Sequence, residues 1–512
     1  MIRRALISVY DKRGLDRFAS GLAELGAELV ASGGTAAFLA EHGLEVTRVE
    51  ELTELPELLG GRVKTLHPRI HAGILARRDR SDDLAALAEH EIGLFDLVCV
   101  NLYPFAETAA SPTAGEAETI EMIDVGGPAL LRAAAKNHRH VVPVPSAGRY
   151  ADVLAQLRSD GEVRLEARRQ LAAEAFAATA AYDAAVGAWL SAENGFPQHL
   201  VVALEKVADL RYGENPHQRA AYYAQAGAAV HLLAGIEQVH GRELSLVNLL
   251  DLSTARALVE DVGGPACAIV KHANPCGVAV AASPGEAYER ALACDPVSAF
   301  GMVCVLDRPV DEELGERLAE RFVDVLLAPA YDERALQALR RKPGTRVLVA
   351  REPGRRSSLE LDFKRVSGGL LVQDRDEAKE SRESMRVACG SLSESAWDDL
   401  LFAWRVCRHA TSNAIVIAKD GATLGIGTGQ VSRVDAVRIA LDKARAHGHD
   451  VSGAVLASDA FFPFADGPEL ALAAGVGAIV QPGGSKRDAE VTRLVERGEA
   501  ALVLTGVRHF RH

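Results

Sequence analysis

Short apolar runs alternating with stripes of helical period constrain this chain more than any other feature. Ala5-Leu6-Ile7-Ser8-Val9 reads as a buried strand, and Leu15, Phe18, Ala19, Leu22 and Leu25 then recur at helical spacing and stop at Gly26. Glu28-Leu29-Val30-Ala31 is a second strand, running into Ser32-Gly33-Gly34-Thr35 and a helix through Phe38 and Leu39 that ends at Gly43. Leu97-Val98-Cys99-Val100 is another, opening on Asn101-Leu102-Tyr103-Pro104. Such alternation predicts a doubly wound parallel sheet covered on both faces, with functional loops at the carboxyl ends of the strands. The Ala-rich stretch from Leu165 to Leu190 carries one stripe (Leu171, Ala175, Ala178, Tyr182, Val186) and predicts a single long helix. Asn194-Gly195-Phe196-Pro197 breaks it, which predicts one domain over 1–196 and a second over 197–512. The breaker- and charge-rich stretch 340–356 predicts a connection near residue 355 between two subdomains, and a duplicated α/β unit is compatible with the pattern.

At 512 residues the chain exceeds one hydrophobic core, and 48% hydrophobic with 25% charged residues is the balance of a globular protein. A net charge of −13 argues against a general binder of nucleic acid or anionic membrane, while leaving room for a local phosphate pocket. Seven cysteines, an odd number with no CxxC, fit reduced thiols and neither a disulfide framework nor a zinc site. The apolar run after Met1-Ile2-Arg3-Arg4 is too short for a signal peptide, and no run approaches a membrane span. A cytoplasmic protein is expected.

The reactive groups gather at element ends. Lys271-His272-Ala273-Asn274-Pro275-Cys276-Gly277 follows the apolar run Ala266 to Val270, which sets a cation and an imidazole at a strand end before an expected Pro/Gly turn. Ser32-Gly33-Gly34-Thr35, joining strand to helix, offers backbone N–H groups and hydroxyls to an anion, with Lys12, Arg62 and Lys64 as countercharge. Tyr103, Asp124 and Lys136 add a phenol, a carboxylate and a further lysine for moving protons and expelling water. The glycine run 425–429 is neither GxGxxG nor a Walker loop. A zinc deaminase is excluded by the absence of HxE and PCxxC, and Pro68 spoils a helical ligand pair of His67 with His71. A chain ending Arg508-His509-Phe510-Arg511-His512 predicts a terminus folded into a site.

Taken in order, seven strings resemble the bifunctional AICAR transformylase/IMP cyclohydrolase family of purine biosynthesis over essentially the whole chain. They are Gly61-Arg62-Val63-Lys64-Thr65-Leu66-His67-Pro68, Asn101-Leu102-Tyr103-Pro104-Phe105, Ala134-Ala135-Lys136-Asn137-His138, Arg211-Tyr212-Gly213-Glu214-Asn215-Pro216-His217-Gln218, Lys271 to Gly277, Ser458-Asp459-Ala460-Phe461-Phe462-Pro463-Phe464, and the closing pentapeptide. The resemblance implies an α/β fold: an N-terminal methylglyoxal-synthase-like doubly wound sheet, then a pair of cytidine-deaminase-like α/β units without zinc. It implies formyl transfer from 10-formyltetrahydrofolate to AICAR, closure of formyl-AICAR to IMP, and a homodimer with no nucleic-acid or membrane partner.

For ring closure the resemblance implies Lys64, Tyr103, Asp124 and Lys136 as catalytic groups. Ser8, Lys12, Ser32, Gly33, Gly34, Thr35, Arg62, Thr65, Asn101 and Gly126 would hold the nucleotide. For formyl transfer it implies Lys271, His272 and Asn413. Arg211, Tyr212, Asn248, Gln430, Arg433, Phe461, Arg508 and Phe510 would surround AICAR, with Phe300, Gly301, Asp324 and Asp466 touching either substrate. The chain departs from the family at Leu246-Val247, Thr411 and Tyr10, none of which removes a catalytic group. A nucleotide sensor is the alternative from another class; it needs only a phosphate cradle, so retention of Lys64, Tyr103, Asp124 and Lys136 argues against it. Nothing in the sequence favours a non-catalytic scaffold.

Overall fold

The computed structural model describes residues 2–56, 58–191, 195–226, 231–351 and 361–512. The chain packs into two compact units, Met1–Glu205 with Gln225–Gly227 and Lys206–Ala224 with Ala228–His512.

In the first unit the strands are β1 (Arg4–Val9), β2 (Glu28–Ala31), β3 (Thr47–Arg48), β4 (Leu97–Asn101) and β5 (Val142–Val144), in the order β3-β2-β1-β4-β5. Every pairing is parallel. The interiors of β1, β2 and β4 are apolar because both faces are covered: Ala5, Ile7, Leu29 and Cys99 pack into one core, Leu6, Val30, Val98 and Val100 into another. The helices α1 (Leu15–Glu24), α2 (Gly33–Glu41), α3 (Pro68–Leu75), α4 (Gly126–Lys136) and α5 (Leu165–Leu190) supply the layers. The long helix has the bounds its stripe predicts, and through Leu171 and Ala175 it reaches both cores. Strand order reverses between β1 and β4, so a crevice opens beyond their carboxyl ends.

The second unit holds one 12-stranded sheet built from two repeats of the same topology. The first repeat runs β6 (Ile236–His240), α6 (Leu246–Val262), β7 (Ala266–Lys271), β8 (Asn274–Val280), α7 (Pro284–Cys294), β9 (Met302–Leu306), α8 (Glu312–Glu320), β10 (Val323–Ala328), α9 (Glu333–Arg340) and β11 (Arg346–Ala350). The second runs β12 (Arg386–Cys389), α10 (Glu394–Arg408), β13 (Ile415–Lys419), β14 (Ala422–Gly427), α11 (Arg433–Ala446), β15 (Val455–Ser458), α12 (Asp466–Ala473), β16 (Ala478–Gln481), α13 (Asp488–Arg497) and β17 (Ala501–Leu504). The sheet order, β12-β17-β16-β15-β13-β14-β8-β7-β9-β10-β11-β6, places the repeats back to back across the antiparallel β8/β14 pair. Helices α6 and α10 share one core on one face; the other face carries a separate core for each repeat.

One expectation needs correction. Asn274 to Gly277 is not a Pro/Gly turn but the start of β8; the turn is His272-Ala273, both at positive φ (54° and 56°). Pro275 is accommodated where the β7/β8 register shifts, and a Cβ on Gly277 would collide with the Ala291 carbonyl of α7, so that glycine serves a close strand–helix approach. Cys276 is accordingly a buried strand residue. Residues 341–345 join α9 to β11 inside the first repeat, β11 takes up 346–350, and 352–356 of the expected connection lie outside the described residues.

Candidate active sites

The crevice beyond β1, β2 and β4 is a cavity of about 560 Å³. Ser8, Lys12, Ser32, Gly34, Thr35, Arg62, Lys64, Thr65, Asn101, Tyr103, Asp124 and Gly126 all line it. Gly33 adjoins it: Lys64 Nζ would stand 2.7 Å from a Cβ there, and its φ of 48° is one that favours glycine. Several of these groups hold the wall together. Thr35 Oγ1 donates to Val9 O (3.0 Å) and accepts from its N–H (3.1 Å), tying α2 to β1. Asn101 accepts from the N–H groups of Tyr10 and Asp11 and donates to Asp11 O, which shapes the loop carrying Lys12. Arg62 pairs with Glu121.

Asp124 is the titratable centre of this cavity. Burial raises its pKa above the ordinary carboxylate value, and hydrogen bonds from the N–H groups of Gly127 and Tyr103 only partly oppose that. The Asp124 N–H donates to Tyr182 Oη (2.8 Å), whose own hydroxyl donates to Met122 O. A carboxyl raised toward neutrality, beside a lysine and a phenol, is equipped to move protons. Lys136 does not join them within one chain. It ends α4, ten residues and about 15 Å along the helix from Gly126, and lines a separate groove with His71, Arg132, His138, Arg169 and Phe176.

In the second unit, positive φ at His272 and Ala273 lifts the exposed imidazole off the end of the β7/β8 hairpin. Lys271 Nζ donates to Phe300 O (2.7 Å), and Gly301 continues that loop at φ 73°. Asp251 of α6 accepts the Ala273 N–H at 2.6 Å beneath the turn; burial raises its pKa, against the turn's N–H groups and His272. Asn248 is 3% exposed, capping α6 with Ser245 and donating to Asp324 Oδ2 (2.6 Å), whose Oδ1 pairs with Arg346. Asn248 thus positions Asp324. Tyr212 O accepts the Leu246 N–H, which brings Arg211-Tyr212 to the start of the same helix.

A cavity of about 450 Å³ in the second repeat is lined by Asn413, Arg433, Phe461, Asp466, Arg508 and Phe510, among others. Arg433 is buried between Asp459, Ser458 Oγ (2.8 Å) and Asn413 Oδ1 (2.6 Å), and Asn413 Nδ2 donates to Gln430 O (2.8 Å). The hairpin and this cavity are linked where Asn274 Oδ1 accepts the Thr411 N–H at 2.8 Å. Asp251, Arg346, Asp459 and Tyr182 were not anticipated as site residues. For Asp251 and Asp459 a signal existed, since each is a lone carboxylate within an otherwise apolar run. Among the described residues no group of three or more His, Cys, Asp or Glu is arranged to hold a metal, and no helix is long and apolar enough to cross a membrane.

A family model described as AICARFT/IMPCHase bienzyme matches residues 134–443, more than half of the chain, and one described as MGS-like domain matches residues 14–129. The solved structure titled "Crystal structure of ForH" is 42% identical, covering 37% of this chain and 100% of that one with a TM-score of 0.34.

Proposed function

The chain belongs to the AICARFT/IMPCHase bienzyme family, which joins a formyltransferase to an IMP cyclohydrolase, and from that premise we propose that it catalyses the last two steps of IMP synthesis. In the first, the AICAR amine attacks the formyl carbon of 10-formyltetrahydrofolate, a co-substrate. His272 takes the amine proton, while Lys271 stabilises the tetrahedral oxyanion and protonates the departing folate nitrogen. Asn413, held by Arg433 and the Gln430 carbonyl, orients the formyl group. Arg211, Tyr212, Phe461, Arg508 and Phe510 bind AICAR.

In the second step the carboxamide nitrogen of formyl-AICAR attacks its own formyl carbon, and the carbinolamine loses water to close the ring. Lys12, Ser32 and the N–H groups of Gly33 and Gly34 hold the phosphate at the start of α2. Lys64 and Tyr103 stabilise the oxyanion, and Asp124, as the carboxylate, takes the proton released by the carboxamide nitrogen and passes it to the departing water. Holding both reacting groups of one molecule in attack geometry supplies much of the rate.

The observation that carries this reading is the convergence in one cavity of an anion cradle with Lys64, Tyr103 and Asp124; a sensor has no use for the last three. Residues 1–196 are assigned the cyclisation and 197–512 the formylation, in two subdomains meeting near 355. Formylation residues fall into two groups within one chain, and Val297, Phe300 and Val431 are exposed apolar side chains near them, which supports a homodimer that covers both. The reading calls for no metal, and a cytoplasmic setting suits its substrates. The test is direct. Protein supplied with AICAR and 10-formyltetrahydrofolate yields IMP, and His272→Ala abolishes formylation while sparing cyclisation of supplied formyl-AICAR. Loss of both in a folded variant refutes the two-site assignment.

A further inference from the structure

Arg508 and Phe510 line the second cavity, yet the side chain between them turns into the protein. His509 is 1% exposed. Its Nδ1 lies 2.5 Å from Asp376 Oδ2 and its Nε2 3.1 Å from Glu380 Oε2. Carboxylate oxygens only accept, so two such partners require hydrogen on both ring nitrogens, which is the imidazolium. Trp404 of α10 closes the pocket, with ring centres 5.1 Å apart, and its Nε1 donates to the same Glu380 oxygen at 2.9 Å. The charge of Arg408 of α10 also favours the Asp376 carboxylate, and Arg408 is itself paired with Asp261, as is His409. The His509 N–H donates to Asp459 O (3.1 Å), and Arg511 donates to His409 O (2.6 Å) and Thr254 Oγ1 (2.8 Å). The last residues of the chain are therefore strapped down on both sides of Phe510, by the residue next to Arg508 and by Arg511.

We infer that His509 is a positioning residue for formyl transfer, a doubly hydrogen-bonded imidazolium that pins the C-terminal segment so that Arg508 and Phe510 face AICAR. This rests on assigning that cavity to formylation. Burial by itself lowers the imidazole's pKa; the two carboxylates reverse that and hold it at about 8. Because the folded value stands above the ordinary one, the clamp is whole below the ordinary histidine value and is lost as pH climbs through about 8. Burial raises Asp376 and Glu380, and His509 more than offsets it, so both stay charged down through the ordinary carboxylate range.

The experiment measures the KM for AICAR and hydrogen exchange of residues 507–512, corrected for intrinsic rate, from about pH 6.5 to about pH 9.5. In the wild type, KM rises on the order of tenfold and protection falls as pH passes about 8, while cyclisation is unaffected. His509→Asn has the raised KM at every pH, with a flat profile. Asp376→Asn, at a half-exposed position that the fold tolerates, removes one of the two carboxylates and moves both transitions to lower pH; a merely structural contact would lower stability without moving them. A wild-type profile in His509→Asn, or unmoved transitions in Asp376→Asn, overturns the inference. Wild-type protein that shows the exchange transition yet never formylates AICAR overturns instead the assignment of the cavity.

Discussion

Asp459→Asn removes the counter-charge of a buried guanidinium at almost constant volume. Asp459 is completely buried just beyond β15, and its carboxylate accepts from both Arg433 and Ser412. The Arg433 side chain is only 6% exposed, so solvent cannot replace the lost anion. Breaking a buried pair from one side costs roughly 3–5 kcal/mol. The amide oxygen keeps one acceptor, which puts this variant near the lower figure, about 3 kcal/mol. For a unit of this size that is a fall of about 5 °C in Tm. Arg433 also orients Asn413 through Oδ1, so formylation should drop at least about tenfold even where the variant is folded. Cyclisation, carried by groups in the other unit, should be unchanged. Calorimetry of the full chain, with each activity assayed separately below the transition, reads all three quantities. Arg433→Met and the double variant complete a cycle, with a coupling of about 1 kcal/mol or more expected. A Tm within about 2 °C of wild type, or parallel loss of both activities, would refute the view that this pair supports one site.

Asp124→Asn should reduce cyclisation by about 10²–10⁴-fold and leave formylation intact. Because burial raises the Asp124 pKa, the carboxylate form is lost as pH falls through a value above the ordinary one; wild-type cyclisation should fall on that acid limb, and the variant's residual rate should lack it. A variant that keeps the acid limb assigns it to another group. Gly277→Ala should destabilise the second unit by about 1–3 kcal/mol or more, since the new methyl meets the Ala291 carbonyl and a helix must shift. Gly425→Ala, against the Ala440 carbonyl in the second repeat, should do the same; unfolding in denaturant measures both, and neutral effects would mean that the strand–helix spacing is looser than this packing implies.

Much of the fold was legible because its signals are local. β2 and the 26-residue α5 have the bounds that their apolar patterns imply, since a strand buried on both faces and a striped helix each declare their period within a few turns of chain. The hairpin at Lys271 was misread for the opposite reason. Asn-Pro and Cys-Gly are turn signals by composition, yet here Pro275 sits at a register shift and Gly277 under a helix 14 residues downstream, a contact no local pattern reveals. The residues lining the first cavity could be assembled from motifs, because they lie at the ends of neighbouring parallel strands. Lys136 shows the limit of that approach: a short string places it beside the others in sequence, while ten residues of helix carry it away from their cavity. Asp459 and Asp376 were invisible as partners, being 26 residues from Arg433 and 133 from His509.

The two repeats of the second unit explain why the reactive pair occurs once. Their hairpins are built alike: Asp251 of α6 holds the N–H of Ala273, and Asp399 of α10 holds the N–H groups of Asp420 and Gly421. Each turn has two residues at positive φ, each follows a lysine, and each returning strand carries a glycine beneath a helix carbonyl. The second lysine donates to Ser452 O (2.8 Å), as the first does to Phe300 O (2.7 Å), but the Asp420 carbonyl is held by Arg290. With Asp420 where the first repeat has His272, that turn lacks an imidazole. On the assignment proposed above, the second repeat contributes through Asn413, Arg433 and the C-terminal segment that carries His509. A duplicated scaffold has therefore divided its labour. In that assignment one hairpin presents the proton-transfer groups, its copy joins the two repeats where β14 pairs with β8, and the cavity beside the copy supplies the groups that orient the substrate.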